Sequence, residues 1–205
     1  MLIVKVKICG ITNYKDAAAA VDMGADILGF NFYPKSPRYI APEEVVKIIN
    51  KLPAFVDIAG VFVNDSLEHI RKIMRQCQLN WVQLHGDENP EFCQSLVSVK
   101  TMKALRIKEK KDIQQAENYF TDAILLDAYS PEKYGGTGIS FDWNVIGHIG
   151  KRIFLAGGIN PDNVEAAVEL GVYGIDVCSG IESEPGKKDH KKMKKLFENI
   201  GHLRA

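Results

Sequence analysis

The chain has 205 residues, of which 46% are hydrophobic and 25% charged, an ordinary composition for a globular protein with one well-buried core. Its 26 basic and 26 acidic side chains cancel, so no overall field attracts nucleic acid or an anionic membrane surface. The apolar runs are too short for a membrane span, and the first residues do not resemble a signal peptide. We therefore expect one domain over residues 1–205, with no nucleic-acid or membrane partner.

The spacing of the cysteines argues against two further kinds of site. The four of them, at positions 9, 77, 93 and 178, show no paired C-x-x-C spacing. This pattern argues against a disulfide scaffold and against a zinc site. Reduced thiols are the rule in the cytoplasm, so we expect a cytoplasmic protein without a bound metal.

Short apolar runs rich in β-branched residues recur along the chain and predict eight strands. In chain order they cover residues 3–8, 27–32, 55–63, 81–84, 101–105, 123–126, 153–156 and 173–177. Between Ile8 and Val177, seven repeats span 169 residues, about 24 each. That length accommodates a strand, a loop and a three-turn helix, so each repeat is predicted to be one β-strand followed by one helix.

The segments between these strands carry helix signals. Thr12 or Asn13 can cap a helix over residues 16–21, and one-face apolar spacing predicts helices near 45–52, 67–77 and 190–200. Three prolines stand where a first helical residue belongs, at Pro42, Pro90 and Pro161. Eight strands alternating with helices favour an α/β fold, a single closed (β/α)8 TIM barrel of parallel strands surrounded by helices. An open, doubly wound sheet is the alternative.

Two loops near the end of the chain have the composition of a phosphate site. Gly157 and Gly158 follow the seventh strand, and Cys178 and Ser179 follow the eighth. Small residues let backbone amides approach an anion closely, and phosphate is often held at these two positions of a barrel. Each loop alone is better explained as a tight turn. Their occurrence together favours phosphate.

Polar side chains also follow several predicted strands. Because strand ends converge on one rim of a barrel, residues distant in sequence are expected to meet there. The candidates are Cys9, Asn31, Arg38, His85, Asp127 and Asp176.

Motifs from end to end resemble those of the phosphoribosylanthranilate isomerase family. They are VKICGIT at 6–12, GFNFY at 29–33, SPRYI at 36–40, VQLHG at 82–86, LLD at 125–127, GGTG at 135–138, FDW at 141–143, LAGGI at 155–159, and DVCSGIE through PGKKD at 176–189. The resemblance implies an Amadori rearrangement of N-(5-phosphoribosyl)anthranilate to the 1-deoxyribulose 5-phosphate product, in tryptophan biosynthesis and without a cofactor.

The resemblance also implies roles for individual residues. Cys9 would be the general base and Asp127 the general acid. Arg38 would hold the anthranilate carboxylate, and Asp176 would contact sugar hydroxyls. The backbone amides of the two loops at Gly157, Gly158, Cys178 and Ser179 would hold the phosphate. His85 could orient the substrate or merely pack within the rim.

The chemistry itself asks for an acid to open the ribose ring and a base to remove the proton at C2. A reactive thiolate beside a carboxylic acid inverts the ordinary pKa order of cysteine and aspartate, a gap of about 4.6 units or about 6 kcal/mol. We therefore expect the pKa of Cys9 to be lowered, that of Asp127 to be raised, and the two titrations to be coupled.

Alternatives remain open at this stage. Cys9 alone could be a small core residue, and Asp127 a cap or ion-pair partner. The lysines between 187 and 195 are expected to form a solvated face, and 135–138 could be a lid or a turn. Cys178 and Ile139 depart from common family forms.

Two rival functions remain open: another phosphate-binding barrel enzyme, such as a sugar-phosphate epimerase, or a non-catalytic phosphate-ligand sensor. The sequence allows both a monomer and a homodimer.

Overall fold

The structure is a computed structural model that describes residues 4–96, 98–128, 135, 141–146 and 149–203. Eight parallel strands close into a barrel in chain order, with the last strand pairing back to the first. The strands are β1 Lys5–Cys9, β2 Ile27–Asn31, β3 Asp57–Phe62, β4 Trp81–Leu84, β5 Lys100–Ile107, β6 Ala123–Ala128, β7 Ile153–Leu155 and β8 Gly174–Val177. The predicted barrel is confirmed.

Helices surround the barrel. They are α1 Tyr14–Asp22, α2 Pro42–Ile49, α3 Leu67–Cys77, α4 Pro90–Gln94, α5 Lys110–Gln114, α6 Val164–Glu169 and α7 His190–Ile200. After β8 the chain forms a short antiparallel hairpin, β9 Glu182–Glu184 and β10 Lys187–Lys188. No helix in the described ranges is long and apolar enough to cross a membrane.

Side chains alternate between the inside of the barrel and the layer beneath the helices, as the two-residue period of a strand requires. The inward-pointing apolar residues form their own buried cluster of Ile27, Ala59, Trp81, Met102, Ala104, Ala123, Leu125, Phe154 and Ala156. Their strand neighbours, for example Ile8 and Val82, pack in a separate cluster with the helices. The interior is therefore filled with side chains, and a cavity can form only at the strand ends.

The helix starts follow the capping signals at most positions. Asn13 caps α1 by accepting a hydrogen bond from the Asp16 amide at 2.9 Å, and Pro42 and Pro90 begin their helices as predicted. The start predicted at Pro161 is wrong, because α6 begins at Val164. Asparagine side chains explain the delay: they bond to neighbouring amides across residues 160–163 and hold that segment in a turn.

Candidate active site

A cavity of about 450 Å³ opens among the carboxyl ends of the strands. All ten residues predicted for the site line it: Cys9, Asn31, Arg38, His85, Asp127, Gly157, Gly158, Asp176, Cys178 and Ser179. Cys9 on β1 and Asp127 on β6 thus face one space, with β7 and β8 between their strands. Closure of the barrel brings these residues together, although they are spread over 170 positions of the sequence, from Cys9 to Ser179.

A lysine lies directly beneath the Cys9 thiol. Lys7 has no exposed surface, and its Nζ lies 2.8 Å from Oδ1 of Asp176 on the neighbouring strand. Both the ammonium and the thiol use the space left by Gly29, where a Cβ would stand 2.9 Å from the Cys9 Sγ and 3.0 Å from the Lys7 Nζ. The absence of a side chain at Gly29 therefore lets the two groups share one small volume.

This environment favours the thiolate of Cys9. A hydrogen bond from Cys178 holds the pKa of Cys9 well below its ordinary value, and the charges of Lys7 and Lys188 act in the same direction against the cost of burial. In turn the pKa of Cys178 is raised well above its ordinary value, chiefly by that hydrogen bond and by burial. The predicted direction for Cys9 agrees with the structure.

Asp176, for which the resemblance implies only sugar contacts, is a carboxyl group with a raised pKa. Burial raises the pKa of Asp176 to about 7, and the charges of Cys9 and Asp127 add to this rise while Lys7 opposes it. Burial acts to lower the pKa of Lys7, but the attraction of Asp176 and Cys9 outweighs it and the net shift is upward. An acid that titrates near neutral pH thus lies beside the thiolate.

Asp127 lies at the end of β6 beside a buried histidine. Its Oδ1 accepts a hydrogen bond from the Ala128 amide at 2.8 Å, and its Oδ2 lies 3.3 Å from Nε2 of His85 without the alignment of a hydrogen bond. Gln83 places its Nε2 2.8 Å from Nδ1 of the same ring. When the amide donates to Nδ1, the ring proton sits on Nε2 and faces the carboxyl group.

The loop after β7 has the geometry expected of an anion site. Gly157 and Gly158 adopt φ values of +82° and +71°, which glycine tolerates without strain. The side-chain amides of Asn160 and Asn163 donate to the Gly158 carbonyl at 3.1 and 3.0 Å and fix the orientation of that peptide. Within the described ranges, the amides of both glycines have no acceptor, so they can donate to a ligand.

The loop after β8 packs against the loop after β7. A Cβ at Gly180 would collide with the carbonyl of Ile159, so only glycine allows this approach. Ser179 begins a short 3-10 helix, and its amide has no acceptor in the described part of the chain. The two loops therefore present their amides from adjoining positions on the cavity wall.

A buried cluster of charges joins Arg38, which lines the cavity, to Glu182 and Lys188 behind the lining. Arg38 grips Glu182 with Nε at 2.9 Å from Oε1 and Nη2 at 2.7 Å from Oε2, while Nζ of Lys188 lies 3.0 Å from Oε1. Two cations share one carboxylate here, which leaves this corner net positive and suited to an anionic ligand. Lys188 is buried, so the expected solvated face of lysines is wrong at this residue.

Four residues with evident roles in the site were missed from the sequence: Lys7, Gln83, Glu182 and Lys188. Lys7 stands two residues before Cys9 on β1, and Gln83 on β4 stands two residues before His85, which follows that strand, so the strand period predicts both on the inner face. Of the glycine segment 135–138, Gly135 lines the cavity, where a Cβ would meet Asp127 Oδ2 at 2.8 Å. Residues 136–139 lie outside the described ranges, as does the question of a lid.

Residues 6–199 match the family model described as N-(5'phosphoribosyl)anthranilate (PRA) isomerase. The chain belongs to this family. The N-(5'-phosphoribosyl)anthranilate isomerase of Trichlorobacter lovleyi is 48% identical over 200 residues, which cover 96% of this chain and 97% of that relative. The predicted membership of the phosphoribosylanthranilate isomerases, an enzyme family, is confirmed.

Solved isomerases of this family share the barrel. The phosphoribosyl anthranilate isomerase of Thermus thermophilus aligns with a TM-score of 0.91 at 36% identity, covering 98% of this chain and 100% of that structure. A second isomerase structure, described as a complex with reduced 1-(o-carboxyphenylamino)-1-deoxyribulose 5-phosphate, aligns with a TM-score of 0.85 at 41% identity and the same coverage.

Proposed function

We propose that this chain catalyses the reaction of its family, the Amadori rearrangement of N-(5-phosphoribosyl)anthranilate in tryptophan biosynthesis, with Cys9 as the base and Asp127 as the acid. The observation that carries the proposal is a cavity in which a thiolate-favouring cysteine, a buried carboxyl group and two amide-rich loops face one another. No other function is favoured by a feature of this cavity.

The acid acts first. The substrate ribose is closed as an N-glycoside, so its ring oxygen must take a proton as the ring opens to an iminium ion. Asp127 supplies that proton in our proposal. The ring N–H of His85 faces Oδ2 at 3.3 Å, close enough for its dipole to stabilise the carboxylate that remains after transfer.

The base acts next. The Cys9 thiolate removes the proton from C2 of the iminium ion, and the resulting enolamine tautomerises to the ketone product. Lys7 does not line the cavity, so we assign it as a positioning residue that stabilises the thiolate from beneath. The positive charge of Lys7 lowers the pKa of the Cys9 thiol and so favours a resting thiolate. This is the cysteine half of the inverted pKa order that the reaction requires.

Binding groups hold the substrate between the two. Arg38 is proposed to take the anthranilate carboxylate in the net-positive corner, and Asp176 to contact sugar hydroxyls. Backbone amides hold the 5-phosphate at one end of the cavity. The amides assigned to this role belong to Gly157, Gly158, Cys178 and Ser179.

The remaining features of the proposal concern the protein as a whole. We propose that residues 1–205 act as one catalytic domain in the cytoplasm, without a cofactor, on this small-molecule substrate. Four free cysteines suit a reducing compartment. A Thermotoga maritima relative is described as monomers generated from a dimeric enzyme, so both a monomer and a homodimer are to be tested for this chain by light scattering.

The proposal is tested by turnover of phosphoribosylanthranilate, followed by the decay of anthranilate fluorescence. Cys9→Ser and Asp127→Asn should each lower kcat by about 10²- to 10⁴-fold, with thermal stability recorded for both. Cys93→Ser is the matched control, because this buried thiol lies on α4 outside the cavity lining. Full turnover by Cys9→Ser would refute the base assignment. If the wild-type protein bound phosphoribosylanthranilate without converting it, the enzymatic function would be refuted in favour of a ligand sensor.

A further inference from the structure

The Cys9 thiol has a second cysteine as its immediate neighbour. Strands β1 and β8 pair in parallel with Lys7 opposite Asp176 and Ile8 opposite Val177, and the next two residues are Cys9 and Cys178. Paired strands lie about 4.7–4.9 Å apart, and a disulfide needs a Cα separation of about 4.4–6.8 Å. Both side chains point into the barrel mouth, because each lies two residues after an inward-pointing partner, Lys7 or Asp176, and both line the cavity.

The pair is accessible and chemically distinct from the other thiols. Both Cys9 and Cys178 line the open cavity, so a small solute reaches them. Cys77 and Cys93 are buried among the helices, where burial raises the pKa of each to about 11 and keeps it protonated. Oxidants attack thiolates, so reactivity concentrates on the cavity pair.

We propose that Cys9 and Cys178 form an oxidisable pair in which a hydroperoxide converts the two thiols into a reversible disulfide. The Cys9 thiolate attacks one peroxide oxygen; an S–O bond forms, the O–O bond breaks, and the leaving oxygen takes a proton from solvent. The Cys178 sulfur then loses its proton and attacks the Cys9 sulfur; an S–S bond forms, the S–O bond breaks, and hydroxide leaves as water. The two sulfurs together lose two electrons, which the peroxide gains.

The surroundings of Cys178 favour the second step. Its pKa is held high chiefly by the hydrogen bond to Cys9 and by burial. Conversion of Cys9 to a neutral sulfenic acid removes the negative charge, while Lys188, with Nζ 3.9 Å from the Cys178 Sγ, and Arg38 still favour a thiolate. Cys178 therefore becomes a better nucleophile once its neighbour is oxidised.

The consequence for activity rests on the proposed function. A disulfide removes the base and stops turnover, yet it protects Cys9 from irreversible oxidation to a sulfinic acid. Phosphate binding in the proposal uses the Cys178 backbone amide, so the sulfur is not engaged there. A serine at this position could still donate its amide but could not form the disulfide.

The test treats wild type and Cys178→Ser with limiting hydrogen peroxide and then with dithiothreitol. Peptides are mapped by mass spectrometry without reduction, and turnover is compared with the untreated rate of the same variant. Wild type should yield a Cys9–Cys178 cross-link and lose at least about tenfold in rate, most of which dithiothreitol restores. Cys178→Ser should accumulate sulfinic acid at Cys9 and recover little, while Cys77 and Cys93 stay reduced in both proteins.

The pair would be overturned if sulfinic acid formed at Cys9 as fast in wild type as in Cys178→Ser, or if dithiothreitol restored both proteins equally. A cross-link that forms while turnover persists would support the pair and sink the base assignment. No cross-link, combined with an inactive Cys9→Ser variant in reducing buffer, would sink the pair and leave the base assignment intact.

Discussion

Replacing Lys7 by methionine tests whether a buried charge sets the reactivity of Cys9. The substitution keeps most of the side-chain volume and removes the ammonium. At a sulfur hydrogen-bond distance of about 4 Å and an effective dielectric constant of about 20, that charge stabilises a thiolate by about 4 kcal/mol, or about 3 pKa units. Part of this is compensated, because Asp176 without its partner takes up a proton and no longer repels the thiolate.

We therefore expect the pKa of Cys9 to rise by about 1–2 units in Lys7→Met. The lowered pKa of wild-type Cys9 keeps the thiolate populated well below the ordinary titration range of a thiol. In the variant this population is lost at higher pH, so the acidic limb of kcat moves upward and the rate below it falls about tenfold per unit. Alkylation of Cys9 by iodoacetamide, followed by mass spectrometry across pH, measures the same shift without turnover.

Lys103→Met is the matched control. Lys103 is as buried as Lys7, and its Nζ lies 2.7 Å from Glu88, but neither residue lines the cavity. Breaking either buried ion pair should cost about 3–5 kcal/mol in unfolding free energy. Only Lys7→Met should change the pH dependence of alkylation. An unchanged profile in Lys7→Met, or equal shifts in both variants, would refute the reasoning.

Three further outcomes follow from individual residues. Gly29→Ala should lose about 1–3 kcal/mol of stability and most turnover, because a Cβ would stand 2.9 Å from the Cys9 thiol. Gly150→Ala is the control: the added Cβ meets open space, so its stability in thermal unfolding should stay within about 0.5 kcal/mol of wild type. Gly180→Ala should raise KM more than it lowers kcat and weaken inhibition by inorganic phosphate, because its Cβ forces the loop away from Ile159. The pKa of Asp176 is about 7 in the folded protein against an ordinary value of 3.8. Between these values the folded protein holds one more proton than the unfolded chain, so the free energy of unfolding falls as the pH rises to about 7. Asp176→Asn should remove this difference between urea unfolding at about pH 5 and at about pH 8.

The barrel could be predicted because its signal is periodic. Eight β-branched runs at even spacing define the strand count, and closure then places every strand end on one rim. That rule was sufficient to bring Cys9, Asp127 and both glycine loops to one cavity. Caps at Asn13 and prolines at Pro42 and Pro90 specify their helix starts through local hydrogen bonding, which requires no tertiary information.

Depth within the barrel is not encoded by that period. Lys5 and Lys7 share the inner face of β1, yet Lys5 lies at the strand's beginning with 42% of its side chain exposed, while Lys7 has none. Only the register between β1 and β8 places Asp176 opposite Lys7 and turns a polar residue into a buried ion pair. Lys187 and Lys188 differ for a similar reason, since only one of them points into the cluster around Glu182.

Local preference also fails where a turn competes with a helix. Proline at a first helical position is compatible with a helix but does not require one. Around Pro161, Asn160 and Asn163 bind the backbone of the turn and the Gly158 carbonyl, so the chain reaches α6 three residues later. The delay serves the anion site, because these same amides orient the glycine peptide that faces the cavity.

The Lys7–Asp176 pair also ties catalysis to closure of the barrel. The two residues are 169 positions apart and meet only when the last strand pairs with the first. A slip of one residue between β1 and β8 would set the ammonium opposite Ile175 or Val177 and leave it buried without a carboxylate, at a cost of several kcal/mol. Such a pair adds little net stability over an apolar one, but it penalises every wrong register. The charges that prepare Cys9 for proton transfer therefore also select the strand alignment that creates its site.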